Sequence, residues 1–259
     1  MTVSLEVMKE QLNAAVVGAA PGAAANDLCL ASVELFGVDG AAMSLVYDGH
    51  SRGTFGSSNE TSRRLDEYQF TFGEGPCLDA VATHEAVMVP DLDSPHERRW
   101  PGFAGAVLDE GVRGVFALPI MVTSVCVGAL DLFRNTPGPL EKDQFAGAAL
   151  AARLGSLSLL DLIADSTAGL ADHDDPARTA SGEDAWGLLA DMDRIEVYQA
   201  TGMLISQLDV GPAEALVRLR AHAIATNQTA RQVALAILRR TLELERDELP
   251  HDGTGKGHR

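Results

Sequence analysis

Apolar residues follow two different spacings along this chain, and each spacing marks a different kind of structure. In the first half, short apolar runs bounded by glycine and other turn residues predict about five buried strands. Near the end, apolar positions recur every three or four residues, which is the spacing of one helix face. The pattern therefore predicts an α+β layer followed by a small all-α unit.

The predicted strands and helices of the first part form an antiparallel sheet flanked by helices. The strands are 41–47, 52–57, 86–92, 112–120 and 125–133, and the helices are 3–17, 26–36, 59–69, 77–83, 100–110 and 140–163. A hairpin is expected at Asp48-Gly49-His50. The last two strands are rich in β-branched residues, which favour extended backbone.

Three helices are predicted in the last quarter of the chain. The first ends before Gly211-Pro212, because proline suits the first turn of the next helix. Thr229 and Gln232 form a capping-box pattern that starts the third helix. The predicted apolar stripes are Leu188, Met192, Ile195, Gln199, Met203 and Leu204; then Ala215, Leu216, Leu219, Ala223 and Ile224; then Val233, Ala234, Ile237, Leu238 and Leu242.

The same region carries an ordered series of residues that is typical of one family. The series is residues 200–204, Glu214-Ala215, Leu219-Arg220, Ala223, Asn227 and Val233-Ala234. It resembles the ANTAR domain, a three-helix RNA-binding module of bacterial transcription antiterminators. The resemblance implies binding to stem-loops in nascent mRNA. The residues it indicates for RNA contact are Thr201, Gly202, Arg220, Asn227, Gln228, Thr229 and Arg231.

Four of these residues also have a purely structural interpretation. Turn and cap chemistry accounts for Asn227 and Thr229. Helix packing is the alternative for Gly202, and a solvated surface position is the alternative for Arg220.

The first part of the chain resembles a GAF domain, the small sensor fold of bacterial signalling proteins. The resemblance is carried by residues 72–80, 89–92, 114–120 and 126–133, and it covers roughly residues 22–162. It implies a small-molecule ligand, and Gly75, Pro76 and Cys77 are the candidate residues of its pocket. A turn that needs unusual backbone angles explains the glycine equally well.

The distribution of charge bears on the RNA prediction. The net charge is −17, and residues 1–186 carry 11 basic and 27 acidic residues, whereas residues 187–246 carry seven of each. RNA affinity depends on Lys and Arg, yet Thr201, Gln207, Gln228 and Thr229 stand where the ANTAR family usually has basic residues. The alternative function is therefore a dimerisation and signalling protein whose bundle no longer binds RNA.

The cysteines and the sequence ends restrict the other function classes. Cys29, Cys77 and Cys126 are widely spaced, which predicts reduced thiols and neither a disulfide frame nor a metal site. No catalytic set and no cofactor motif is present, so a non-enzyme is predicted. A thiol-dependent methionine sulfoxide reductase of GAF-like fold is a remote alternative. The start of the chain lacks a signal-peptide pattern and no apolar run predicts a membrane span, so the protein is expected in the cytoplasm.

The predicted domain plan has five parts. They are an N-terminal helix (1–21), a GAF-like sensor (22–164), an acidic linker (165–186), an ANTAR-like bundle (187–246) and a disordered tail (247–259). The helix over 140–163 carries a leucine stripe at positions 150, 154, 157 and 160. Such a stripe is buried by pairing with a second copy, so a homodimer is predicted.

Overall fold

The computed structural model describes residues 4–17, 19, 23–47, 49–170 and 194–245. Most of the predicted linker, the predicted tail, and the apolar positions Leu188 and Met192 fall outside these ranges. Within them, the chain forms a layered N-terminal domain and a C-terminal helical bundle.

A five-stranded antiparallel sheet forms the middle layer of the N-terminal domain. Its strands are β1 (Gly40–Tyr47), β2 (His50–Ser57), β3 (Val87–Val89), β4 (Gly114–Val122) and β5 (Val125–Arg134), in the order β2-β1-β5-β4-β3. The predicted strands and the β1–β2 hairpin are confirmed. The third strand is shorter than predicted, because Pro90 follows it and has no N–H to donate to the ladder.

Six helices cover the two faces of the sheet. They are α1 (Leu5–Val16), α2 (Ala24–Phe36), α3 (Glu60–Phe72), α4 (Pro76–Thr83), α5 (Pro101–Asp109) and α6 (Lys142–Leu170). Side chains alternate along each strand, so Met43 and Phe116 join a core with α1, α2 and α6. Ala42 and Ala117 face the other way, into a core with α3, α4 and α5. The predicted α+β fold is confirmed.

The C-terminal bundle consists of α7 (Ile195–Leu208), α8 (Pro212–Ala225) and α9 (Ala230–Leu238). Pro212 opens α8 as predicted. The predicted capping box is also formed: Gln232 N donates to Thr229 Oγ1 at 3.2 Å, and Thr229 N donates to Gln232 Oε1 at 2.9 Å.

The predicted apolar stripe of α7 is wrong for most of its described positions. Ile195 is 50% exposed, Met203 is 36% exposed and Gln199 is exposed, whereas Leu204 is buried. The prediction was based on the positions of the large apolar side chains. In the structure, small residues such as Ala200 and Thr201 are also at the contacts between the three helices. The residues of α7 that are buried are Val197, Ala200, Thr201, Leu204 and Leu208.

Helix α6 is long and apolar enough over Lys142–Leu162 to pass a length and composition test for a membrane span. Its apolar side is used within the N-terminal domain, where Ala148, Ala151 and Leu159 are fully buried in the core. Two leucines of its other side, Leu157 and Leu160, remain 50% and 41% exposed.

The exposed leucines of α6 give the homodimer prediction a specific test. Light scattering at micromolar concentration is expected to give twice the single-chain mass, and Leu157→Glu is expected to lower it to one chain, because a charge on a paired apolar face is unfavourable. Val125→Glu, the same kind of change at a 59% exposed apolar position of β5, serves as the control and should stay paired. A single-chain mass for the unchanged protein would refute the prediction.

Candidate functional site

The C-terminal bundle is docked on α3 of the N-terminal domain, and Phe70 is the centre of the contact. Phe70 is 3% exposed and shares an apolar cluster with Leu204 and Leu219 of the bundle. The guanidinium groups of Arg194 and Arg220 lie over its ring, 4.0 and 4.2 Å from the ring centroid. Aromatic faces attract cations, and more strongly where water is excluded. Phe70 and the two arginines thus join the bundle to the sheet domain.

Arg194 is the deepest charged group of this contact. It precedes α7 and is 4% exposed. Its Nη2 donates to Ser51 Oγ at 2.9 Å and lies 3.7 Å from Asp66 Oδ2. A buried charge needs a partner to be tolerated, so the position of Arg194 depends on Asp66.

The start of α9 adds a second set of contacts with α3. Ala230 N donates to Thr71 Oγ1 at 3.0 Å, and Arg231 lies 3.7 Å from Glu67. Burial raises the pKa of Glu67, and the neighbouring arginines oppose this rise. Both ends of the interface therefore place an arginine of the bundle next to an acidic residue of α3.

Arg220 is half-buried in the same contact. Its Nε is buried and has no hydrogen-bond partner among the described residues. Burial, and then the charge of Arg194, lower the pKa of Arg220. Arg218, two positions earlier, pairs instead with Glu214 on the surface of α8 at 2.8 Å. Of these two arginines, Arg220 is the one that faces the N-terminal domain.

The other residues predicted to contact RNA divide into buried and exposed positions. Thr201 is 7% exposed and its hydroxyl donates to a backbone carbonyl one turn earlier. Thr229 is 1% exposed and caps α9. Both hydroxyls therefore stabilise the bundle in this arrangement. Gly202 and Asn227 are exposed and Gln228 is half-buried, with Asn227 in the left-handed region at φ 53°.

An open groove lies between α7 and the end of α9 with the residues that follow it. It is lined by Gln199, Gly202, Met203, Ser206, Gln207, Ile237, Arg240, Leu242 and Glu243. Gly202 is therefore accessible while Arg220 is covered by α3. Of the predicted RNA contacts, Gly202 lines this open groove, whereas Arg220 is turned towards the N-terminal domain.

A second polar site is buried inside the N-terminal domain, between β5 and the helices α3 and α4. One carboxylate oxygen of Asp66, one of Asp131 and Cys77 Sγ lie within 4.8 Å of one another, and all three residues are fully buried. Ser44 and Thr54 both donate hydrogen bonds to the Asp66 carboxylate. We call Asp66, Cys77 and Asp131 the buried acidic cluster.

The environment of this cluster disfavours additional negative charge. Burial, with a further contribution from Asp66, raises the pKa of Asp131 well above its usual range. Burial also raises the pKa of Cys77, and the two aspartates add to that effect. Gln69 Nε2 donates to Asp131 Oδ2 at 2.6 Å, but Asp131 Oδ1 has no hydrogen-bond partner among the described residues.

Gly75 and Pro76, predicted together with Cys77 as pocket residues, directly precede Cys77 at the start of α4. Both are buried, and Gly75 has φ 146°, a conformation that favours glycine. A Cβ on Gly75 would lie 2.5 Å from Gln69 Oε1, the atom that accepts a hydrogen bond from Cys77 N at 2.8 Å. The glycine thus leaves room for the side chain that links Cys77 to Asp131.

Replacing Gly75 by alanine is expected to destabilise the protein by about 1–3 kcal/mol, since it adds backbone strain and displaces Gln69. The measurement is the free energy of unfolding from urea titration followed by circular dichroism. Gly105→Ala is the matched control, because a Cβ at this position of α5 meets no atom within 4 Å. It is expected to be neutral or stabilising by up to ~1 kcal/mol. Equal effects of the two changes would contradict the role given to Gly75.

Two family models match the chain: the GAF domain over residues 22–167 and the ANTAR domain over residues 189–238. The chain belongs to the GAF family and carries an ANTAR domain after it. Both are regulatory domains, and together they are the domains of GAF-sensing antitermination regulators. The α3–bundle contact is therefore a contact between the GAF domain and the ANTAR domain.

Solved structures match the GAF domain in fold. The GAF domain of a phosphoenolpyruvate-protein phosphotransferase from Coxiella burnetii has a TM-score of 0.50 at 15% identity, and the match covers 63% of this chain and 96% of that one. A GAF domain of the same kind of protein from Acinetobacter has a TM-score of 0.47 at 10% identity, covering 66% and 97%. Free methionine-R-sulfoxide reductase from Neisseria meningitidis has a TM-score of 0.47 at 15% identity, covering 62% and 90%. No curated protein matches the chain.

The cysteines of this GAF–ANTAR protein lie in sites that favour the protonated thiol. Burial raises the pKa of Cys29, of Cys77 and of the half-buried Cys126. Thiol chemistry of the reductase kind needs a thiolate. The reductase alternative therefore requires a change in the environment of at least one of these thiols.

The sequence-based prediction missed Phe70, Arg194 and the two buried aspartates. Asp131 had a visible signal, since it is the one acidic residue in the apolar strand β5. Phe70 and Arg194 carry no signal of their own, because each acquires its role from a contact between distant parts of the chain.

Proposed function

We propose that this GAF–ANTAR protein is a cytoplasmic, signal-responsive regulator that binds stem-loops in nascent mRNA through its ANTAR bundle and promotes transcription antitermination. The GAF domain is the sensor, and it controls the bundle by holding it on α3. The observation that carries the proposal is the position of Arg220. This is the ANTAR-family residue best suited to RNA, and it is stacked on Phe70 of the GAF domain.

Control follows from competition for the same side chain. A guanidinium binds a phosphate or an unstacked base through its planar group. In Arg220 that group lies over the ring of Phe70, so it cannot contact RNA at the same time. RNA binding and docking are then alternative states of one bundle. A signal shifts the balance only if it binds the docked and the undocked state with different affinity. A ligand of the GAF domain can do so, because the GAF domain contacts the bundle in the docked state alone.

A second function is favoured by a specific observation. The arginines at positions 194, 220 and 231 are all engaged within the chain, and the bundle as a whole is neutral. In this alternative, the protein is a GAF-containing dimerisation and signalling protein in which the bundle contacts only protein.

Sequencing of RNA that co-purifies with the protein from its native cells separates the two functions. Enrichment of leader transcripts with paired hairpins ahead of an intrinsic terminator is the expected result. Deletion of residues 187–246 is the control and should abolish the enrichment. If neither the unchanged chain nor Phe70→Ala, which lacks the ring that holds the bundle on α3, recovers a specific RNA, the second function replaces RNA binding.

A further inference from the structure

We propose that the buried acidic cluster of Asp66, Cys77 and Asp131 binds a divalent transition-metal ion, with Zn²⁺ and Fe²⁺ as the ions that suit its donors. The three ligands come from α3, α4 and β5, and their ligand atoms lie within 4.8 Å of one another. Bonds of about 2.0–2.3 Å to oxygen and sulfur place two ligands of one ion up to about 4.5 Å apart. Small side-chain rotations therefore bring all three onto one ion.

Asp131 supplies an independent observation that points to a ligand. Its Oδ2 accepts from Gln69, but its Oδ1 is fully buried and has no hydrogen-bond partner among the described residues. Buried polar atoms are almost always paired, because an unpaired one loses its hydration without compensation. A cation held between the three residues would satisfy this oxygen.

The donor set selects the class of ion. Two carboxylates alone would suit Mg²⁺ or Ca²⁺, which take oxygen ligands. The sulfur of Cys77 favours softer ions such as Zn²⁺ and Fe²⁺. On binding, the metal–sulfur bond forms and the thiol proton leaves to solvent, and Asp131 binds as a carboxylate and gives up any proton it holds.

Neighbouring side chains hold the proposed ligands in place. Ser44 and Thr54 donate to Asp66, and Gln69 links Cys77 N to Asp131 Oδ2. Hydrogen bonds of this kind orient ligands and tune affinity in metal sites. The widely separated ligands explain why spacing along the sequence had predicted no metal site.

If the GAF domain is the sensor proposed above, a divalent transition-metal ion is the class of signal that this site would detect. This step alone rests on the proposed function. Asp66 is both a proposed ligand and the acidic partner of Arg194, 3.7 Å away. An Asp66 carboxylate that ligates an ion presents less negative charge to Arg194. Metal loading is therefore expected to loosen the docked ANTAR bundle.

Titration of the full chain with Co²⁺ under reducing conditions tests the site. Co²⁺ replaces Zn²⁺ in such sites and gives an ultraviolet charge-transfer band when bound to thiolate. One Co²⁺ per chain with this band is expected, and Zn²⁺ but not Mg²⁺ should remove it. Cys77→Ser should abolish the band, and Asp131→Asn should weaken binding at least tenfold, because even loss of a group that hydrogen-bonds to a metal ligand costs about 10- to 100-fold. Cys126→Ser, a half-buried thiol outside the cluster, is the control that should keep the band.

Several outcomes would overturn the proposal. They are the absence of a band in the unchanged, folded chain, or an equal band after Cys77→Ser, with folding checked by circular dichroism. If Asp131→Asn is folded and binds Co²⁺ as the parent does, Asp131 is not a ligand. Because the band reports the metal–sulfur bond and not RNA, the metal site can stand or fail independently of RNA binding. A metal-bound chain whose RNA affinity is unchanged would overturn only the coupling through Arg194.

Discussion

Replacing Phe70 by alanine is expected to raise the apparent RNA affinity of the full chain by roughly 10- to 100-fold. The ring carries the guanidinium contacts of both Arg194 and Arg220, and a desolvated contact of this kind contributes about 1–2 kcal/mol. Without the ring, the docked state loses about 2–4 kcal/mol from the two contacts, and a 10- to 100-fold gain in affinity requires about 1.4–2.8 kcal/mol of this loss. Apparent affinity is the intrinsic affinity multiplied by the population of the competent state, so it rises accordingly. The measurement is fluorescence anisotropy with a labelled RNA that carries paired hairpins.

Phe72→Ala is the matched control for this experiment. Phe72 lies on the same helix but packs in the core with α5, close to Gly102. Its replacement also removes a phenyl ring and destabilises the GAF domain, but Phe72 lies outside the apolar cluster that Phe70 shares with the bundle. If both variants bind RNA equally well, the gain comes from a loosened GAF domain. If Phe70→Ala binds no better than the parent, docking does not limit RNA binding.

The parts of the fold that the sequence predicted are those set by local rules. Turn residues and apolar runs located the strands, and the Thr229–Gln232 box and Pro212 located the starts of two bundle helices. These signals act over a few residues, so they need no knowledge of the rest of the chain. The predicted apolar stripe of α7 was wrong because burial there depends on which side the neighbouring helices pack against. They pack against Ala200 and Thr201 and leave Met203 exposed.

The candidate sites were less predictable for a related reason. Arg220 was identified through family resemblance, but its contact with Phe70 joins residues 150 positions apart along the chain. The buried acidic cluster is likewise assembled from α3, α4 and β5 by the alternation of the sheet, which turns Asp131 towards Asp66 and Cys77. A pattern along the sequence shows that a residue is unusual at its position. The residue that it contacts is identified only from the packing of the sheet and helices.

The contribution of Arg220 to RNA binding is best measured in the Phe70→Ala background. In the parent, Arg220→Ala removes an RNA contact and a docking contact together, and the two changes act in opposite directions on apparent affinity. With Phe70 already replaced, only the RNA contact remains. Arg220→Ala is then expected to weaken binding by about 1–3 kcal/mol while helical content stays the same. Arg218→Ala, which removes an arginine paired with Glu214 on the outer surface of α8, is the control and should have a smaller effect.

A salt titration of the same proteins shows whether the lost contact is ionic. The logarithm of the binding constant falls with the logarithm of salt concentration at a slope of about −0.7 for each phosphate contact with single-stranded RNA. Two or three arginine contacts, with Arg220 and Arg231 foremost, predict a shallow slope of roughly −1.4 to −2 for Phe70→Ala. Arg220→Ala should make it shallower by about 0.7. An unchanged slope together with weaker binding would mean that Arg220 stacks on a base and does not pair with a phosphate. Unchanged affinity in this background would mean that Arg220 does not contact RNA. Its only role would then be to hold the bundle on Phe70.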